Sequence, residues 1–508
     1  MAITTWTGFD MTTIIGAVTT LRGISPLIAV DRRAAAPIHR QICDGYRARI
    51  LEGNLRAGQQ VPSTRELASE LGVSRIPVLN AYAQLLAEGY FESRVGSGTF
   101  VSRSLPERFV SSTVPGSALP RDGTGHRAVA GRAAKLPPYR RPPWVSGCGA
   151  FNLSQPALEA FPVRIWSNMI ARRSRGMDVA ALLYGGPMGL EELRDAIASY
   201  LRTARGVHCD AGQIMIVSGS QQALDLSARV LLDPRKPVWI EEPGYWLVQH
   251  ILKAAGCRLV PVPVDQEGLD VAAGIRFCPK ARAAYVAPSH QFPLGVTMSA
   301  SRRLKLLQWA QSAGSWIIED DYDSEYRYES MPISSLQGLD RHSRVIYIGT
   351  FSKVLFPSLR LGYLVIPLDL VERFAAVRHA MDICPSHFHQ AVLADFIRDG
   401  HYSRHLRRMR QLYAERRSAL VESIRKEFGS ALELLGTEAG MHLCIALPKG
   451  VSDVALSFEA AKQKLWLWPL SPCYLDGGPR QGFILGFGNT PAEEMPAAVR
   501  RLGALLGR

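Results

Sequence analysis

Residues 315–322, SWIIEDDY, and residues 344–353, RVIYIGTFSK, decide how this chain is read. Each is a short apolar run that breaks off into polar side chains. Trp316, Ile317 and Ile318 lead to Asp320, Asp321 and Tyr322, while Val345, Ile346, Tyr347 and Ile348 lead to Thr350, Ser352 and Lys353. Apolar runs of this length without polar alternation read as strands buried on both faces, the pattern of parallel sheets. Ligands of such sheets bind outside the carboxyl ends of the strands. The carboxylate, the hydroxyls and the amine therefore fall where chemistry is expected.

The pattern continues on the N-terminal side. QIMIVSG (213–219), KPVWIEE (236–242), RLVPVPV (258–264) and AAYVAPS (283–289) are four more strand runs. SQQALDLSARVLL (220–232), YWLVQHILKAAG (245–256) and SRRLKLLQWAQSAG (301–314) have helical patterning between them. This alternation predicts an α/β domain, a mostly parallel sheet with helices on both faces. Gly219, Ser220 and Gln221 open a helix directly after a strand, where free N–H groups and a close backbone approach suit a phosphate. Lys353 beside small hydroxyl residues suits a Schiff-base amine, and Arg360 follows it closely. A phosphate cradle, an aspartate, a lysine and an arginine at successive strand ends are what pyridoxal 5'-phosphate needs.

A separate pattern occupies the first hundred residues. Pro37 to Gly53 carries Ile38, Ile42, Tyr46 and Ile50 on one helical face. Ser63 or Thr64 can cap a second helix that Gly72 stops, and Ser74 a third that ends at Gly89. Two short strands, Tyr90 to Arg94 and Thr99 to Ser102, follow around Val95-Gly96-Ser97-Gly98. Two helices joined by a tight turn and followed by a hairpin make a winged helix-turn-helix. Its second helix enters the major groove of double-stranded DNA with its N-terminal end leading. Ser74 and Arg75 stand at that end, Arg65 suits a phosphate, and Arg94 beside Gly96 suits the backbone or minor groove.

Between the two patterns, the stretch from Arg103 to Cys148 is rich in proline and carries eight arginines and lysines against only Glu107 and Asp122. That composition predicts a partly stiff basic linker able to lie along DNA. The whole chain of 508 residues has a net charge of +14, which favours a polyanionic partner. Its eight cysteines form no CxxC pair, so neither a metal site nor a disulfide framework is read, and a reducing cytoplasm fits. Residues 1–27 lack the basic start and cleavage site of a signal peptide, and no apolar stretch spans a bilayer. The expectation is a cytoplasmic protein without membrane contact.

VPSTRELASELGVSR (61–75) and AYAQLLAEGYFESRVGSGTFV (81–101) closely resemble the GntR-family DNA-binding domain, with Pro77 where many members have threonine. YGGPMGLEELRDAIASYL (184–201), SGSQQALDL (218–226), EEPGY (241–245), PSHQFPLG (288–295), IIEDDYDSEY (317–326) and GTFSKVLFPSLRLGY (349–363) resemble fold-type I aminotransferases, in order. The two together are the layout of the MocR/GabR regulator subfamily. The resemblance implies a DNA-binding domain at 28–103, a linker at 104–148 and a cofactor-binding, dimerising domain at 149–508.

It further implies that Lys353 forms the Schiff base and Asp320 pairs with the pyridinium nitrogen. Tyr322 would bond the phenolic oxygen, Tyr245 would stack on the ring, and Gly219, Ser220, Gln221, Thr350 and Arg360 would hold the phosphate. Tyr184 would reach the partner's phosphate in a head-to-tail homodimer, and His290 is a candidate for the phenolic oxygen. One departure bears on activity. Aminotransferases clamp the substrate carboxylate with an arginine near the C-terminus, and Ile484 fills that position here, with Arg480 out of register. Losing that bidentate fork weakens binding of an amino-acid substrate. The favoured expectation is a DNA-binding regulator sensing pyridoxal phosphate or a small amine, with weak or no transaminase turnover. The alternatives are a working aminotransferase with an appended DNA-binding domain, and a regulator that has lost its cofactor.

Overall fold

The computed structural model describes residues 28–104, 128–134, 136–139, 142–143, 149–153, 155–328, 334–448, 450–475 and 477–507. Its contacts divide the chain into two units, residues 1–127 and 128–508. Most of the segment expected to be a linker lies outside the described residues, as do residues 1–27.

In the first unit, α1 (Ile38–Leu51) buries Ile42, Cys43, Tyr46 and Ile50. α2 (Thr64–Glu70) begins with a capping box: Ser63 Oγ accepts from the Glu66 N–H, and the Glu66 carboxylate accepts from the Ser63 N–H at 2.8 Å. α3 (Arg75–Ala87) starts differently. Ser74 takes the N-cap position with extended backbone but makes no side-chain cap bond. Pro77 stands at the third helical position and has no N–H to offer, so the usual partner of a capping serine is missing. β1 (Phe91–Arg94) and β2 (Gly98–Val101) pair antiparallel. Tyr46, Tyr82 and Phe91 meet edge-to-face with centroids 5.0–5.8 Å apart, locking α1, α3 and the hairpin together.

The second unit is built on an eight-stranded sheet. Its strands are β3 (Ile214–Val217), β4 (Pro237–Glu242), β5 (Arg258–Asp265), β6 (Gly268–Leu269), β7 (Ala283–Val286), β8 (Trp316–Asp321), β9 (Val345–Thr350) and β10 (Gly362–Val365). They lie in the order β3-β10-β9-β8-β7-β4-β5-β6. The central pairs β5/β4, β4/β7, β7/β8 and β8/β9 are parallel, whereas β10 runs antiparallel to both β9 and β3. The six expected strands are all present. β10 was not anticipated, and it separates β3 from β9.

Alternate residues of these strands face opposite ways. Ile214 and Ile216 join one hydrophobic cluster with Leu193, Leu406 and Tyr413, while Met215 and Val217 join a second with Leu224, Leu252 and Phe374. The sheet is thus covered by helices on both faces. A second, antiparallel sheet of β11 (Glu433–Leu435), β12 (His442–Ala446), β13 (Trp468–Pro469) and β14 (Gly482–Gly486) has the order β11-β12-β14-β13. Among the described residues, no helix is long and apolar enough to cross a membrane.

Candidate functional site

The carboxyl ends of β3, β7, β8 and β9 converge on a cavity of about 380 Å³. Ile318 and Ile348 share one face of the sheet, and the two-residue period carries that face on to Asp320 and Thr350. Of the residues expected at the site, Ser220, Gln221, Tyr245, Asp320, Tyr322, Thr350, Lys353 and Arg360 line this one cavity.

Lys353 is half-buried, and desolvation pulls its amine below the ordinary lysine value, with Asp323 partly opposing. Its Nζ donates to the Leu153 carbonyl at 3.3 Å. Asp320 is buried as well, and burial pushes its carboxyl up to about 7, against a hydrogen bond from Tyr285. Tyr285 donates to Asp320 Oδ2 at 2.7 Å, and Oδ1 has no protein partner. Tyr245 turns its ring edge to Phe292 at 5.5 Å, and its hydroxyl accepts from Gln221 Nε2 at 3.2 Å.

At the other end, Gly219 precedes helix Ser220–Leu231 with φ +109, a conformation side chains rarely adopt. A Cβ there would stand 3.1 Å from the Arg360 guanidinium. Arg360 itself holds a left-handed backbone at φ 51, which turns the chain after Pro357–Leu359. The first N–H groups of that helix, Thr350, Arg360 and the unpartnered buried Ser352 Oγ form a compact anion cradle.

These residues fit pyridoxal 5'-phosphate on chemistry. Asp320 Oδ1 is a buried acceptor without a donor, suited to a protonated ring nitrogen, and the cradle with Arg360 suits a phosphate. Lys353 is the amine in the same cavity.

Three expected residues sit elsewhere. His290 is not on the cavity wall itself but directly behind its residues Tyr322 and His442. Its Nδ1 lies 3.0 Å from Asp323 Oδ2, and its ring packs over Gly440, where no Cβ would fit. It meets the site through Tyr322, whose hydroxyl donates to the His290 carbonyl at 2.7 Å and lies 3.2 Å from its Nδ1. The Tyr322 proton is thereby engaged. Gly219 stands behind the cradle rather than on its wall. Tyr184 is 83% exposed, beside exposed Val179, Leu182 and Leu183.

Sequence reading gave no role to Tyr285, Asp323, Met441, His442 and Trp468, all on the cavity wall. His442 is buried and its imidazole is held well below the ordinary histidine value, by desolvation first and then by His290 and Lys353. Donor atoms of His290, Asp323 and His442 come within 4.8 Å of one another, which no spacing along the chain reveals. Tyr285 and Asp323 left a signal, since they lie in or just after a strand run already assigned. Ile484 is fully buried in β14, paired with Trp468, which itself lines the cavity. Arg480 lines a different pocket with Glu433 and Ser452.

The residues expected to meet DNA all lie in the first unit. Arg65 is exposed on α2, and Arg75 opens α3 with its Nε donating to Thr64 Oγ1 at 3.2 Å. Arg94 ends β1, paired with Glu92 at 2.6 Å and 4.6 Å above the Phe100 ring. Gly96 takes φ +77 at the tip of the hairpin, in open space.

Two family descriptions match the chain: aminotransferase class I and II over residues 152–502, and bacterial regulatory proteins of the gntR family over residues 39–101. The chain is 40% identical to the probable rhizopine catabolism regulatory protein MocR of Rhizobium meliloti, over 94% of this chain and 95% of that one. It is 29% identical to the HTH-type pyridoxine biosynthesis transcriptional regulator PdxR of Corynebacterium glutamicum, over 91% and 94%. Among solved structures it resembles the alpha-aminoadipate aminotransferase LysN of Thermus thermophilus, complexed with N-(5'-phosphopyridoxyl)-L-leucine. The TM-score is 0.66 and the identity 29%, over 70% of this chain and 91% of that one.

Proposed function

Because the chain belongs to the MocR/GabR subfamily of GntR-type transcription regulators, we propose that its aminotransferase-like unit binds pyridoxal 5'-phosphate and senses the cofactor or an amine effector. That sensing sets how its helix-turn-helix unit binds an operator in the cytoplasm. The observation that carries the cofactor assignment is the one cavity holding half-buried Lys353, the donor-less Oδ1 of Asp320 and the anion cradle at Arg360. The cofactor, when bound, supplies an aldehyde that amines can reach and a ring that withdraws electrons. This chain's residues do the rest. Burial keeps the Lys353 amine easier to deprotonate, Asp320 receives the ring N–H, and Tyr245 and Phe292 keep water off the ring face.

The same residues support weak turnover. Ile484 is buried where aminotransferases clamp a carboxylate, and Arg480 lies in a different pocket, so an α-amino acid is not held in one orientation. A sensor needs only differential affinity for two states of the protein, carried through the segment at 104–148 to the DNA-binding heads. The two relatives are named for regulating rhizopine catabolism and pyridoxine biosynthesis. Exposed Tyr184, Leu182 and Leu183 support a homodimer in which this patch covers the partner's site.

The test combines three measurements on the purified full chain: absorbance with pyridoxal phosphate, keto-acid production from a panel of amino acids, and operator affinity with and without cofactor and amines. A visible absorbance band, negligible turnover and an operator affinity that changes with ligand are expected. Robust turnover, with operator affinity indifferent to pyridoxal phosphate and every amine, makes the protein an aminotransferase with an appended DNA-binding domain.

A further inference from the structure

α3 has two faces of opposite use. Val78, Ala81, Tyr82 and Leu85 are buried against α1, α2 and the hairpin. The other face leaves three large aliphatic side chains in water, Ile76 at 67% exposure, Leu79 at 43% one turn on, and Leu86 at 37% two turns further. Single exposed aliphatics are ordinary on protein surfaces. Ile76 and Leu79 are neighbours by helical spacing, they occupy the first two turns of the helix, and they stand among exposed arginines. Arg75 precedes Ile76 and is held to one side by its bond to Thr64, and Arg65 is exposed on α2. Exposed Asn80 completes the patch with an amide.

A patch bordered by guanidinium groups is complementary to a polyanion. The gntR-family match of this unit makes that polyanion double-stranded DNA. Within the major groove, the floor offers hydrogen-bonding edges and one apolar group, the 5-methyl of thymine. Ile76 and Leu79 have no hydrogen bond to give. Placed over a cytosine or a purine edge, they would cover donors and acceptors without replacing the lost water. Placed over a thymine, each buries a methyl group.

We propose that Ile76 and Leu79 are specificity-determining residues that read thymine methyl groups, so that the operator carries A·T pairs beneath the first turns of α3. This rests on the DNA-binding reading of the unit. It adds which bases the helix selects.

The experiment uses the full chain and a duplex selected by it from a randomised pool. Each thymine of that duplex is replaced in turn by deoxyuridine, which deletes the methyl group and leaves every hydrogen bond intact. At one or two positions per half-site, affinity should fall roughly four-fold, the weight of one buried methyl group. Ile76→Ala or Leu79→Ala should abolish that penalty at its own position, giving equal affinity for the thymine and uracil duplexes. Both side chains are exposed, so neither variant threatens the fold, and retained salt-dependent binding to unrelated duplex checks this. Arg75→Ala should weaken both duplexes together and preserve the penalty.

If no deoxyuridine substitution matters, or if the penalty persists in both aliphatic variants, the proposal fails while the regulator reading stands. If Ile76→Ala leaves DNA affinity untouched but abolishes association between copies of the chain, the face is a protein contact and the proposal also fails. If the chain selects no sequence from the pool, operator binding itself fails and the proposal falls with it.

Discussion

Replacing Tyr285 by phenylalanine deletes one hydroxyl from the cavity wall and leaves the ring packed in β7. That hydroxyl donates to Asp320 Oδ2 at 2.7 Å, inside a site where burial already pushes the carboxyl up to about 7. A hydrogen bond to a charged group contributes about 1.5–3 kcal/mol. At 1.36 kcal/mol per pH unit, its loss moves the Asp320 titration up by about one to two units. The ring nitrogen of pyridoxal phosphate pairs with the ionised carboxylate. Below the titration the variant must ionise Asp320 at extra cost, so its affinity for the cofactor should fall about ten- to a hundredfold. Above it the carboxylate is ionised in both proteins, the lost bond cancels between free and bound states, and the affinities converge. The assay is a titration with pyridoxal phosphate, followed by absorbance or tryptophan quenching, from about pH 6 to about pH 9. Equal affinities throughout, or a deficit that does not change with pH, would refute the reasoning.

Lys353→Ala should abolish the visible band and the borohydride-fixed adduct, read by mass spectrometry of the intact chain; an adduct that survives places the covalent bond on another residue. Arg205→Met strips a guanidinium 2.7 Å from buried Asp321, where removing one partner of a buried pair costs about 3–5 kcal/mol, so urea denaturation should show a large drop in midpoint. Burial alone would raise Asp321, but Arg205, Ser324 and Tyr347 outweigh it and hold its carboxyl below the ordinary value. Native stability from this group is therefore present above the ordinary carboxylate range and lost as pH falls through its lowered value. In Arg205→Met the shift reverses, and stability should rise as pH falls from neutrality toward that range; an unchanged acid limb contradicts the sign. Tyr184→Phe should weaken cofactor binding about tenfold if its hydroxyl reaches a partner's phosphate, and cofactor affinity equal to that of the unaltered chain argues against that reach.

Much of this was legible without coordinates, and the misses share a cause. The six strand runs, the capped helices and the strand-end residues Asp320, Thr350 and Lys353 follow from local patterning. β10 was missed because GYLV is four residues long and follows a loop that reads as a continuation of the lysine motif. That His290 stands behind Tyr322 and His442 rather than on the wall was not legible, because a motif gives chain position and not the direction of a ring. The lost cap at Ser74 was legible in hindsight, since Pro77 lies three residues on and has no N–H.

Sequence by itself determined the two-part organisation, the α/β class and the strand ends where the candidate cofactor residues stand. Periodicity, glycine turns and apolar runs are properties of neighbours along the chain, so they survive in one dimension. The tertiary structure alone decided which side chains act on one another. Tyr285 and Asp320 are 35 residues apart. They meet because β7 and β8 run parallel with Tyr285 opposite Ile318, and Asp320 lies two residues further on the same face. A tyrosine is long enough to span that diagonal. A one-residue slip between the strands would turn the carboxylate to the other side of the sheet. His442 likewise comes to the cavity wall with Lys353 from a different sheet. Register and sheet packing are set by the burial of whole faces at once, and no local pattern contains them.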